Sequence, residues 1–362
     1  MSLNHTLERE IREEEEAFAL LDSGAKDREK EIQEKVLRLI AEAILYWVEQ
    51  PNVEEVFINR PTEIWLKLRE RNSAGLFWER KYDKNLTRET LINMFHWYAN
   101  SANTSNFGPT GNPVSNGTLP GGHRFMAAYG PNFQYNDVEL DPIGTTLFAC
   151  RQQNQSKERD FDSWGLKRGK TLDPWRPEDA RRADSNDPIT KIKEIIKRGE
   201  HILLSGETNV GKTSFINRLL RLIPMDRRIC TIQDTLELSI PQKNKFTIYM
   251  PRQGKINDFN YGSVIDMIVR MNTDTNIYGE VSSTNAAAIL EGANSGNANF
   301  ITSIHAGSAK EAKEAFVQRY EHTHHLDSEG REEKIRQIDK TFHIVQLIHD
   351  KKTNERRIVE IT

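Results

Sequence analysis

Residues Gly206 to Thr213 read Gly-Glu-Thr-Asn-Val-Gly-Lys-Thr, the Gly-x-x-x-x-Gly-Lys-[Ser/Thr] pattern of a phosphate-binding loop. A polyphosphate needs several backbone N–H groups converging on it, and the two glycines let the chain wrap closely enough to present them. Gly206, Glu207, Thr208, Asn209, Val210 and Gly211 would form the cradle, and Lys212 would add a point charge on the terminal phosphates. Thr213 would ligate Mg²⁺, and Ser214 lies beside it in the first turn of a helix whose positive dipole end faces the anion. The pattern also dictates a fold, because it works only as the turn between a buried strand and a helix.

The flanks supply both. His201-Ile-Leu-Leu-Ser205 is a short apolar run suited to a buried parallel strand, and Phe215, Ile216, Leu219, Leu220 and Leu222 follow helical spacing until Pro224 ends it. A glycine-rich turn that merely resembles a cradle would not be expected to carry this context.

Length and charge set the frame. The 362 residues suggest two domains, and 37% hydrophobic content provides for two modest cores. No window is long and apolar enough to span a bilayer, and the N-terminus is charged rather than apolar, so a cytosolic protein without a signal peptide is expected. With 50 basic and 53 acidic residues the net charge is -3, which gives no overall bias toward nucleic acid or anionic lipid. Cys150 and Cys230 are too few and too far apart for a disulfide framework or a four-cysteine zinc site.

Along the chain, residues 1–35 are dense in charge and read as a solvated helical extension. A first α/β domain is expected over 36–151. Its signals are a helical pattern through Leu37, Ile40, Ala41, Ile44, Leu45 and Val48, strands at Val53 to Asn59 and Glu63 to Leu68, a helix at Thr87 to Ala99 and an extended segment from Gly144 to Arg151. Asn103 to Gly122, rich in Gly, Pro, Asn, Ser and Thr, reads as loop. Residues 152–188 are polar, lack a hydrophobic period and read as a linker.

From 189 to 362 strand-like and helix-like segments alternate. Strands are expected at Arg228 to Gln233, Phe246 to Met250, Asn276 to Tyr278 and Phe300 to Ile304, with helices at Tyr261 to Arg270, Asn285 to Ala293 and Ala309 to Tyr320. The alternation argues for a mostly parallel sheet flanked by helices. His343 to His349 and Arg356 to Ile361, joined by Lys351-Lys-Thr-Asn, are expected to close it as an antiparallel hairpin. His322, His324 and His325, with no cysteine nearby, read as a solvated loop rather than a metal site.

The phosphate loop is followed in order by Thr231-Ile-Gln-Asp234-Thr-Leu-Glu237, Tyr278-Gly-Glu280, Gly296 and Ile301-Thr-Ser-Ile-His305-Ala306. This series resembles the traffic ATPases of secretion, conjugation and type IV pilus machines. Glu54-Glu-Val-Phe-Ile-Asn59-Arg60-Pro61 and Leu119-Pro120-Gly-Gly-His-Arg124 resemble the other domain of the compact type IV secretion members. The likeness covers nearly everything beyond the N-terminal extension, although the four-cysteine zinc insertion of long type II secretion members is missing.

The resemblance implies a C-terminal RecA-like P-loop domain joined to a smaller N-terminal α/β domain, and a set of roles. Glu280 stands where the family keeps its Walker B glutamate, which orients the attacking water or holds Mg²⁺ through water. Asp234 and Glu237 fall in the carboxylate box beside the nucleotide, Asp234 and Glu280 joining Thr213 around the metal. His305 matches the histidine that senses the γ-phosphate. Arg124 and Arg151 match arginines of the N-terminal domain that reach the phosphates, whose charge one lysine and one Mg²⁺ leave under-neutralised.

Three positions depart from the family. Gln233 replaces a common glutamate, so that it can orient water by hydrogen bonding but cannot take its proton. Ser282 replaces an arginine, and Asn297 a histidine.

The function expected is that of an ATP-hydrolysing, Mg²⁺-dependent motor subunit of a type IV secretion or conjugation system. By resemblance it forms a homohexamer with other ATPase and inner-membrane components, peripheral on the cytoplasmic face of the inner membrane. A pilus assembly or retraction motor, or a nucleotide-gated scaffold of low turnover, is the alternative. No stable nucleic-acid binding is expected, because no basic, aromatic-interleaved track is evident.

Overall fold

The computed structural model describes residues 38, 41–101, 106–137, 139–153, 187–251, 257, 259–296, 298–350 and 355–362. The expected N-terminal extension, nearly all of the expected linker and Asn297 lie outside the described residues.

Helix α1 (residues 41–48) buries Ala41, Ile44, Leu45 and Val48, spaced by three and four, on a sheet. Strand β1 (Val53–Arg60) turns at Pro61-Thr62 into β2 (Glu63–Leu68), and β3 (Trp78–Tyr82) extends the meander. Helix α2 (Arg88–Ser101) covers β4 (Val114–Leu119), β5 (His123–Gly130) and β7 (Thr145–Arg151), with Phe95 stacked 5.9 Å from Phe148. The sheet runs β3-β2-β1-β7-β5-β4, antiparallel throughout.

The segment expected to be loop over Asn103 to Gly122 therefore contains an edge strand. Tertiary pairing overrides the turn-like composition of Val114-Ser-Asn-Gly-Thr-Leu119. Gly117 is suited to its place because it sits opposite Phe125, where an added Cβ would stand 2.7 Å from the ring.

The second sheet holds the phosphate loop. Helix α3 (Pro188–Arg198) begins on an Asp187 cap that accepts from the amides of Ile189 and Thr190, and ends at Gly199 in the left-handed region. The chain then alternates through β8 (His201–Ser205), α4 (Lys212–Leu220), β9 (Ile229–Gln233), β10 (Lys245–Tyr249), α5 (Tyr261–Arg270), β11 (Thr275–Tyr278), α6 (Ala286–Asn294), β12 (Asn299–Ile304), α7 (Ala309–Tyr320), α8 (Ser328–Thr341), β13 (Phe342–Asp350) and β14 (Glu355–Ile361). The strand order is β14-β13-β8-β12-β11-β9-β10-β6, where β6 (Phe133–Gln134) comes from the first half of the chain.

Strands β13 to β10 are parallel, while β14 and β6 cap the edges antiparallel. Strands β9, β11 and β12 are buried along their whole length, as helices on both faces of a parallel sheet require. Helices α4, α5, α6 and α7 fall where helices were expected, but α3 and α8 were not anticipated: among the residues of α8 only Ile338 is buried, so its pattern is almost uniformly polar.

A buried arginine joins the two sheets. Arg228, before β9, donates from Nη1 to Asn59 Oδ1 at 2.7 Å and Asn244 Oδ1 at 2.6 Å, and from Nε to the Met271 carbonyl at 2.9 Å. Its guanidinium lies 4.3 Å from the Phe57 ring centre and 5.0 Å from that of Phe246.

Candidate nucleotide site

Backbone geometry builds the site first. Between β8 and α4 the chain makes a tight loop in which Asn209 and Gly211 take φ of 63° and 94°. A Cβ on Gly206 would stand 2.7 Å from Val210 Cγ1 and 2.9 Å from the Leu347 carbonyl, so only glycine fits between the loop and β13. The loop opens on a cavity of about 580 Å³. Thr208, Asn209, Gly211, Lys212, Thr213 and Ser214 line it together with Gln233, Asp234, Glu237, Glu280 and His305. Four separate sequence boxes thus meet at the carboxyl ends of parallel strands, where open α/β sheets bind ligands.

The side chains form a connected path. Lys212 Nζ donates to the carbonyls of Gly206 at 2.8 Å and Glu207 at 3.0 Å, and reaches His305 Nδ1 at 2.9 Å. His305 Nε2 stands 3.3 Å from Glu280 Oε1. An ammonium has only donors, so Nδ1 accepts and the imidazole proton sits on Nε2, directed at Glu280. Burial pulls the Lys212 pKa down to about 8, with Glu280 opposing the shift and Arg319 adding to it.

Glu280 is held by its surroundings. The Asn285 amide donates to the Glu280 carbonyl at 2.9 Å and accepts from Ser282 N at 2.7 Å, while Val281 N donates to Ser303 O and Ser303 Oγ to Gly279 O, both at 2.8 Å. Ser282, at the family's arginine position, carries its hydroxyl 2.9 Å from Thr284 Oγ1.

Gln233 is tied into the loop that follows it. Its carbonyl oxygen accepts from the amides of Glu237 at 3.0 Å and Leu238 at 3.1 Å, and its amide nitrogen donates to Thr231 Oγ1 at 3.0 Å. Two main-chain donors fix the amide's orientation, so Gln233 braces the loop bearing Asp234 and Glu237. Asn217 on α4 supports the same loop, donating to Glu237 O at 3.1 Å and accepting from Ser239 N at 2.8 Å.

Arg124 and Arg151 are not brought to this cavity. They face each other across β5 and β7 and line a second cavity of about 540 Å³ with Lys67, Asp266, Arg270 and Asn272. Arg151 is engaged by Glu55 at 3.2 Å and Glu54 at 3.5 Å. Two arginines that no motif marked lie nearer the phosphate loop: Arg356 lines its cavity, and Arg319 on α7 is electrostatically coupled to Lys212 and Glu280.

Sheet order and site together define a RecA-like P-loop nucleotide-binding protein, with one strand between the loop strand and the strand bearing the catalytic-position carboxylate. Residues 184–321 match the family model "Type II/IV secretion system protein". The type IV secretion system protein VirB11 of Brucella suis biovar 1 is 26% identical over 268 residues, covering 73% of this chain and 72% of that protein. Protein VirB11 of Agrobacterium fabrum is 27% identical over 272 residues, covering 74% and 76%. The crystal structure of the VirB11 ATPase from the Brucella suis type IV secretion system, in complex with sulphate, superposes with a TM-score of 0.74 at 22% identity, covering 91% of this chain and 95% of that one. The likeness of residues 184–321 to this family model, and of most of the chain to the VirB11 proteins, supports a type II/IV secretion ATPase.

Proposed function

We propose that this protein is the ATP-hydrolysing motor subunit of a type IV secretion or conjugation machine. The observation that carries the reading is the Lys212–His305–Glu280 path beneath the phosphate loop, which links the cation that grips a terminal phosphate to the carboxylate that handles water. When a triphosphate enters, Lys212 exchanges the Gly206 and Glu207 carbonyls for phosphate oxygens. His305 loses its ammonium donor, and its hold on Glu280 changes with the presence of the γ-phosphate. Glu280 then orients a water in line with the γ-phosphorus; the new P–O bond forms as the bond to the β-phosphate oxygen breaks, giving ADP and inorganic phosphate.

Thr213, Asp234 and Glu280 suit Mg²⁺. All three line the cavity, and a hydroxyl with carboxylates and substrate oxygens is the donor set this ion takes. When bound, it would neutralise charge developing on the phosphates.

We further propose that residues 36–151 and 189–362 act as two domains joined by 152–188, that the protein works as a hexamer, and that it sits on the cytoplasmic face of the inner membrane beside other components. The relation to VirB11 proteins supports the assembly, and no helix of the described residues is long and apolar enough to cross a membrane. Because Arg124 and Arg151 line a cavity apart from their own phosphate loop, the reading assigns them to a neighbouring subunit's nucleotide.

Phosphate release from purified protein tests the activity. Glu280→Gln is expected to lower turnover by about 10²- to 10⁴-fold while ATP still binds, and Lys212→Ala to weaken binding itself. Equal release by wild type and both variants would refute the assignment.

A further inference from the structure

Among the described residues, Arg356 is the one residue lining the nucleotide cavity that comes from the β13–β14 hairpin. A methyl carbon placed on Gly211 would stand 3.4 Å from Arg356 Cδ and Nε, which puts the arginine stem directly over the phosphate loop. The hairpin beneath it is a firm platform, since the Leu347 carbonyl of β13 is close enough to Gly206 to exclude any side chain there.

Topology decides which end of a nucleotide this guanidinium meets. Strand β8 lies between β12 and β13. The groups suited to the terminal phosphate all come from the β12 side: His305 follows β12, Glu280 follows β11 and Asp234 follows β9. Arg356 approaches from the opposite side. With the γ-phosphate drawn toward His305 and Glu280, the nucleoside leaves the loop toward the hairpin.

We infer that Arg356 recognises the nucleoside end of the bound triphosphate, its planar guanidinium stacking on the purine base above the phosphate loop. The inference rests on the proposed ATP-binding role of the site. Both the flat shape and the charge matter, so lysine is a poor substitute.

Calorimetric titration of the full chain with Mg-ATP and with magnesium tripolyphosphate, which lacks a nucleoside, separates the possibilities. Arg356→Ala is expected to weaken ATP binding about 3- to 30-fold and leave tripolyphosphate binding unchanged. Arg356→Lys should recover little of the loss. Unchanged ATP affinity in Arg356→Ala would overturn the inference, as would equal weakening of both ligands with recovery in Arg356→Lys, which would make Arg356 a phosphate contact. Wild-type protein that binds neither ligand would remove the parent reading and this one with it.

Discussion

At the scale of single residues, Lys212 makes contacts that a nucleotide would displace. Lys212 is buried, and its pKa of about 8 means that the folded chain gives up this proton more readily than the unfolded chain, whose lysine titrates near 10.5. Between these values the unfolded state binds more protons, so this group makes the nucleotide-free protein gain stability as pH rises from about 8 to 10.5. A triphosphate has the opposite demand, since it needs the ammonium. ATP affinity is therefore expected to fall as pH rises above about 8, with net proton uptake on binding. Calorimetry in buffers of different ionisation enthalpy would measure both, and affinity that stays flat through this range in wild type would contradict the lysine's assigned place. Gln233 teaches a further lesson at this scale. The identity of the residue announces a departure from the family, but only its three hydrogen bonds reveal that it serves as a brace.

At the scale of elements, the functional loops are positioned by strands whose partners are fixed elsewhere. Arg228 stands at the start of β9, which carries the Gln233–Glu237 box, and ties it to Asn59 of β1, Asn244 before β10 and Met271 after α5. Removing the guanidinium would leave the buried Asn59 and Asn244 oxygens without this donor and open a cavity beside Phe57 and Phe246. Arg228→Ala is expected to destabilise the fold by about 2–4 kcal/mol, measurable by urea denaturation. Because the site's own residues are intact, residual native protein should keep its ATP affinity; a change of less than about 0.5 kcal/mol, the usual range for a surface position, would show that the pin is dispensable.

At the scale of the whole molecule, cationic side chains are divided between two cavities. The phosphate-loop cavity has Lys212, His305 and Arg356, whereas Arg124 and Arg151 line the other cavity. If Arg151 serves a neighbour in a ring, Lys212→Ala and Arg151→Ala preparations, each inactive, should recover activity on mixing. Random equimolar assembly with head-to-tail contacts places an intact loop beside an intact arginine at about a quarter of the interfaces. No recovery after demonstrated subunit exchange would return Arg151 to its own chain or to the Glu54 and Glu55 pairs it makes here.

The amino-acid sequence alone determined the strand–loop–helix of the phosphate cradle and the alternation of the second sheet, because each is written in local spacing, and the family resemblance of its short ordered boxes singled out Glu280, His305, Asp234 and Glu237, which line the same cavity. It did not reveal β4, whose composition is that of a turn and whose pairing with β5 is a tertiary event, nor α8, whose polar sequence has no strong period. Tertiary structure alone decided that Lys212, His305 and Glu280 touch in series, that Arg356 overhangs Gly211, and that Arg124 and Arg151 face a different cavity. The physical reason is that hydrophobic period and backbone requirements act between residues close in sequence, while the distance between two charges depends on how whole strands are ordered in a sheet.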